Sequence, residues 1–159
     1  MSAPDLETLM KVETAYEDAA KVFLSSAVGI TVFTSGEASD FVSPRLEIFL
    51  ALGSALEPPS DPLPNLSKGE YSKYSANFSI QVITDPTIGQ TRLDHISYIA
   101  KTRVALLRSS SNWNATNLPY YDTKYLRPLG TTWQVMGDLL TTELSYQIEL
   151  AIREDAWTV

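Results

Sequence analysis

The end of the chain alternates cleanly. In TTELSYQIELAIREDAW (141–157), Leu144, Tyr146, Ile148, Leu150 and Ile152 share one parity, and Ser145, Gln147, Glu149 and Arg153 share the other. Successive side chains of a strand point to opposite faces, so this pattern predicts a long strand with one apolar and one polar face. Two earlier stretches alternate in the same way. FVSPRLEIFLALG places Leu46, Ile48, Leu50 and Leu52 on one side, and YSKYSANFSIQVIT does the same with Tyr74, Ala76, Phe78, Ile80 and Val82. Pro44 cannot donate to a ladder and marks the beginning or edge of the first of these. Between them SALEPPSDPLPNLSKGE carries four prolines, Pro58, Pro59, Pro62 and Pro64, and reads as a long exposed hairpin loop over 54–70.

Two other segments have a helical period. Between about Asp5 and Ser25, Val12, Ala15, Tyr16, Ala19, Val22 and Phe23 recur at spacings of three and four, with Pro4 and Asp5 suited to a helix start and Gly29 to its end. From Gln90 to about Arg108 a second stripe runs through Leu93, Ile96, Ile99, Ala100, Val104 and Leu107. A short β-branched run, Ile30 to Phe33, follows the first helix and stops at the Ser35-Gly36 turn signal. Residues 109–140 break every period and read as irregular, with at most a brief strand near Tyr125 or Trp133. The order is helix, three strands, helix, one or two strands. It predicts an α+β fold: an antiparallel or mixed sheet of four to five strands with both helices on one face. No internal repeat or domain boundary interrupts 1–159.

Composition narrows the function classes. The 159 residues include no Cys, which removes disulfides, thiolate metal sites and Cys nucleophiles and suits a protein made in a reducing cytoplasm. The opening MSAPDLETLMKVE has no basic region followed by an apolar run, and no stretch approaches the roughly 20 apolar residues of a membrane span, so no membrane partner is expected. Net charge is −7, from 12 basic and 19 acidic residues. That balance disfavours adhesion to a nucleic acid backbone but permits DNA to pass along an acidic wall.

Reactive chemistry finds little purchase. His95 is the only histidine, so a two-histidine metal site is excluded, and it reads as a solvated helix residue whose neighbour Asp94 points elsewhere. Glu143 and Glu149 share the polar face of the last strand, yet six residues separate them by roughly 20 Å, too far for a carboxylate pair. Neither a nucleophile elbow nor a phosphate loop occurs. No catalytic residue, metal or cofactor is therefore assigned. The enrichment that stands out is aromatic. Trp113, Tyr120, Tyr121, Tyr125, Arg127 and Trp133 crowd the irregular segment, and Trp, Tyr and Arg are the residue types that dominate binding hot spots.

The phrases SPRLEIFLALG, YSKYSANFSIQVIT with TRLDHISYIAKTRVALL, and YYDTKYLRPLGTTWQVMGDLLTTELSYQIELAIREDAW give a pattern that resembles the tail terminator and related head-to-tail joining (neck) proteins of tailed bacteriophages. The resemblance is one of element order over most of the chain. It implies a non-enzymatic virion protein, assembled as a hexameric ring that caps the tail tube, ends its polymerisation and meets the head connector or stopper, with DNA passing through its lumen. It also implies a subunit or partner interface drawn from the aromatic segment together with Arg153 and Trp157. Loop contacts would come from Glu57, Pro58, Pro59, Asp61 and Lys68, and a lumen or wet strand face from Glu143, Gln147 and Glu149. A head-completion or stopper ring and a minor tail protein fit the same pattern. From a different class, a small cytoplasmic α+β enzyme or ligand-binding module remains the alternative.

Overall fold

The computed structural model describes residues 6–37, 42–55, 71–108, 120–122 and 127–153. Its elements run α1 (Leu6–Val28), β1 (Thr31–Phe33), β2 (Arg45–Ala55), β3 (Tyr71–Thr84), a 3-10 turn (Pro86–Ile88), α2 (Arg92–Arg108), β4 (Tyr120–Asp122), β5 (Arg127–Met136) and β6 (Leu139–Arg153). Among the described residues the sheet has six strands. β1 is parallel to β2, and all other pairings are antiparallel: β2 with β3, β3 with β6, and β6 with both β5 and β4 along its other edge. It is a mixed sheet in an α+β fold, as the sequence pattern predicts, and β2 and β3 are antiparallel neighbours on either side of the proline-rich stretch.

Strand parity fixes the core. Leu46, Ile48 and Leu50 of β2, Ala76, Phe78, Ile80 and Val82 of β3, and Leu144, Tyr146 and Ile148 of β6 are all buried. The register sets them side by side: Leu50, Phe78 and Tyr146 form one row, and Ile48, Ile80 and Leu144 the next. Both helices cover this face. α1 contributes Tyr16, Ala20, Leu24 and Val28 at four-residue spacing, and the Tyr16 ring meets Phe78 edge-on at 5.4 Å between centroids. Gly29, at φ 80°, ends α1 in the left-handed region that favours glycine.

Two side chains that ordinary pattern-reading leaves in water help to hold these layers. Glu17 is buried, and its carboxylate accepts hydrogen bonds from the Ser35 amide at 2.7 Å, the Ser35 hydroxyl at 2.8 Å and the Leu50 amide at 3.5 Å. It ties α1 to the end of β1 and to an outer-edge amide of β2. His95 is the second. It is not solvated but 0% exposed, with Nδ1 2.8 Å from the Thr84 hydroxyl and Nε2 2.7 Å from the Thr142 hydroxyl. A threonine hydroxyl both donates and accepts, so a neutral imidazole satisfies both partners. Asp94 has a separate task. It forms a capping box with Thr91, whose amide donates to its carboxylate at 2.9 Å while the Thr91 hydroxyl accepts from the Asp94 amide at 3.1 Å.

The position of His95 corrects the expected facing of α2. The helix buries His95, Ile99, Thr102 and Leu106, spaced four, three and four apart, whereas Leu93 is 77% and Leu107 81% exposed, and Ile96, Ala100 and Val104 are also on the surface. Of the expected apolar stripe only Ile99 reaches the core. The cause is satisfied polarity: His95 finds two hydroxyls, and the Thr102 hydroxyl donates to the Tyr98 carbonyl at 2.7 Å, so the semi-polar face can be buried without unpaired groups. On α1, Val22 likewise points to solvent.

The stretch expected to be irregular also changes. Residues 127–136 form β5, joined to β6 by Gly137 and Asp138 in a tight turn, with Gly137 at φ 62° as primed hairpin turns require. β4 adds a further short strand.

Candidate assembly surface

β6 is the central support, with β3 along one edge and β5 and β4 along the other. Its apolar parity is covered by helices. Its polar parity faces away from them, in rows that cross the sheet: Glu47, Gln81, Glu143 and Thr132 in one, and Phe49, Ser79, Ser145 and Gly130 in the next. Asn77, Gln147 and Arg127 follow, then Ser75 and Glu149. Glu143, Gln147 and Glu149 therefore share one face of the sheet, with Glu149 exposed and the other two half-buried. Glu143 accepts from the Ser145 hydroxyl at 3.4 Å, so the two lie against each other along the strand.

The helix side of β5 is different. Trp133 stands opposite Thr142, next to the His95 pocket, with its ring 5.5 Å from the imidazole at a tilt of 52°. α2 packs on β3, meets β6 through the His95–Thr142 contact and reaches β5 by its flank: the Arg103 guanidinium donates to the Thr131 hydroxyl at 2.8 Å, and Arg92 lines a shallow groove with Trp133, Gln134, Val135 and Leu140. Nothing among the described residues covers the rest. Trp133 is 48% and Val135 75% exposed, and Leu129 of β5 and Ile96 of α2 are exposed as well. Solitary exposed apolar side chains are ordinary, but an aromatic, a valine and an arginine around one groove form a surface suited to binding.

At the opposite edge a second groove is lined by Phe33, Thr34, Ser35, Glu37, Glu47, Ile48, Phe49, Ser79 and Gln81. Phe49 is half exposed there. The Lys21 ammonium donates to Glu37 at 2.6 Å and, with the Thr34 hydroxyl, holds the Glu37 carboxyl below its ordinary range. Arg45 pairs with Glu47 at 3.1 Å and also donates to the Val42 carbonyl.

The sequence-predicted interface residues are thus distributed. Trp133 and Arg127 are exposed on β5, on opposite faces of the strand. Tyr120 and Tyr121 pair through β4 with Ile152 and Ala151, and Arg153 pairs with Tyr71, which gathers these backbones at one end of the sheet. Trp113, Tyr125, Trp157, Glu57, Pro58, Pro59, Asp61 and Lys68 lie outside the described residues. Val135, Arg92, Arg103 and Phe49 were missed. The alternation Thr131, Trp133, Val135 was a signal for a strand face, but Gly130 and Pro128 hide it.

His95 offers no general base, because both ring nitrogens are engaged and no water reaches it; burial also lowers its pKa and keeps it neutral. Among the described residues no group of three or more His, Cys, Asp or Glu side chains could hold a metal, and no helix is long and apolar enough to cross a membrane.

Comparison with known proteins adds one result. The fold is shared with a virion chain. A chain in the virion of a native gene transfer agent (GTA) particle superposes with a TM-score of 0.50 at 15% identity, covering 89% of this chain and 94% of that one. No protein-family model and no curated protein sequence matches. At this identity the likeness is one of fold, and it spans nearly the whole of both chains.

Proposed function

We propose that this protein is a structural component of a tailed-phage-type virion and acts as a tail terminator. In this reading a hexameric ring caps the tail tube, ends its polymerisation and joins the tail to the head connector or stopper, while DNA passes through the lumen. The carrying observation is the near-complete overlap in fold with a gene transfer agent virion chain. The surface is in keeping with it. Among the described residues the structure presents two grooved sheet edges and a polar sheet face, and the only histidine of the chain is locked into the core. Arg127 and Trp133 on β5, with Tyr120, Tyr121 and Arg153 at the end of the sheet, supply the contacts to neighbours. The acidic balance of −7 keeps DNA from adhering where charge lines the bore.

The test is a null allele in a producing phage, read by electron microscopy. Loss of a terminator leaves tails of uncontrolled length that do not join heads. Normal tails beside heads that leak DNA assign the chain to a stopper instead, and unchanged infectious particles refute a virion role and favour a cytoplasmic enzyme or binder.

A further inference from the structure

Among the described residues the helix layer stops one strand short of the sheet. Strands lie about 4.8 Å apart and a helix with its side chains is about 10 Å wide, so one helix covers about two strands. α1 packs on β1 and β2, and α2 packs on β3 and meets β6 through His95 and Thr142. β5 lies one strand further out, and burial ends there: Thr142 and Leu144 of β6 are buried, whereas Trp133 and Thr131, their partners on β5, are exposed. Thr131, Trp133 and Val135 alternate onto the helix side of β5 and form the floor of a trough. α2 forms its wall. Arg92 lines the groove with Trp133 and Val135, and Arg103 reaches Thr131. The side of α2 turned to β5 is therefore the one that carries Arg92, Ile96, Arg103 and Leu107, at spacings of four, seven and four, and all of these are exposed.

We propose that this trough receives an amphipathic helix of a different protein chain, laid beside α2 on β5, with its apolar stripe over Trp133 and Val135 and carboxylates on its flank facing Arg92 and Arg103. The dimensions suit a helix. The α2 wall runs from Arg92 to Leu107, about 22 Å at 1.5 Å per residue, or about four helical turns. A strand added along the outer edge of β5 would leave the floor bare, whereas a helix would cover it as α1 and α2 cover the rest of the sheet. Charge selects the partner. Neither arginine is in a salt bridge among the described residues, and β5 has no acidic residue. The apolar contact supplies affinity, and the carboxylates opposite the arginines supply orientation. The helices of a second copy do not meet these demands: α1 commits Tyr16, Ala20, Leu24 and Val28 to its own core, and α2 is itself basic, with Arg92, Lys101, Arg103 and Arg108 against Asp94. The inference rests on the reading of Trp133 as a contact to a neighbour in the particle, but it can fail by itself.

Photo-cross-linking in phage-producing cells tests it in the full-length chain. Val135→p-benzoylphenylalanine puts the reactive group on the floor of the trough, and Leu107→p-benzoylphenylalanine puts it on the wall. Irradiation should join each to a peptide of a different chain whose sequence, read by mass spectrometry, repeats apolar residues at spacings of three and four with Asp or Glu beside them. Arg92→Glu/Arg103→Glu should lower the yield about tenfold or more with an unchanged circular dichroism spectrum. Arg92→Glu alone, at an exposed position, should lower it as well and replaces the double variant if that one does not fold. A cross-link to a second copy of this chain, to an alternating strand sequence or to nothing would overturn the proposal, as would an unchanged yield after charge reversal. The chain has no cysteine of its own, so Val135→Cys gives an independent reading. Its thiol should react with a maleimide in the isolated chain and be protected in the assembled one. Protection in the isolated chain would show that this chain fills its own trough, and would overturn the proposal. If the expected cross-link forms but the chain is missing from purified particles, the trough survives and the virion reading falls; a chain found in particles with its trough empty gives the reverse.

Discussion

Replacing His95 by Leu should destabilise the fold through two threonines rather than through histidine itself. Thr84 and Thr142 are both fully buried, and each has its hydroxyl on an imidazole nitrogen, at 2.8 and 2.7 Å. With leucine in place, both hydroxyls lose their described side-chain partner, and a buried unsatisfied group costs about 1–3 kcal/mol, so the loss should be about 2–5 kcal/mol. Converting Thr84 and Thr142 to Val in the same chain should recover most of it, because removing all polar members of a network is far less costly than orphaning some. The pH profile gives an independent check. Burial lowers the folded pKa of His95, so below the unfolded value of about 6.5 the unfolded chain binds the proton that the folded chain excludes. Stability from this group is therefore fully present above about pH 6.5 and is lost as pH falls toward the folded pKa. Between pH 7 and pH 5 the wild type should lose stability relative to His95→Leu. Urea unfolding of both proteins across that range measures the difference. Parallel profiles, or a single substitution that costs less than about 0.5 kcal/mol, would refute the buried neutral imidazole.

Other substitutions separate the fold from the surface. Glu17→Ala strands the donors of Ser35 and should cost about 2–4 kcal/mol in urea unfolding, although the residue is a charged position on a helix. Phe78→Ala empties the centre of the core beneath Tyr16 and should cost about 3–5 kcal/mol by the same assay. Trp133→Ala removes a half-exposed ring and should cost about 1 kcal/mol of stability or less, yet it should weaken partner binding by 2 kcal/mol or more, measured by sedimentation or by incorporation into particles. Global unfolding of that variant would reassign Trp133 to the core.

The strands with a covered face were the most legible part of the chain. Leu46 to Leu50, Ala76 to Val82 and Leu144 to Ile148 alternate because one side meets the helices and the other meets water, and the observed burial follows that parity. β5 was illegible for the opposite reason. Its described side chains are exposed on both faces, so nothing selects an alternation, and a register shift between Pro128 and Gly130 breaks the little there is. α2 misled because apolarity alone ranks Leu93 and Leu107 above His95 and Thr102, whereas burial goes to the face whose polar groups find partners across the chain, 11 and 47 residues away. Such long-range partners leave no local trace. The candidate surface divides in the same way: Trp133 and Arg127 stood out by residue type, whereas Arg92 and Phe49 acquire their place only in the grooves that the folded sheet builds, and Arg103 only through Thr131 of β5.

The most direct measurement of the central claim is a reconstruction of the intact particle by electron cryomicroscopy, with this fold docked into the map. The account predicts six copies in one ring at the head-proximal end of the tail tube. Absence of the chain from purified particles, or its presence only in the capsid shell, would contradict it.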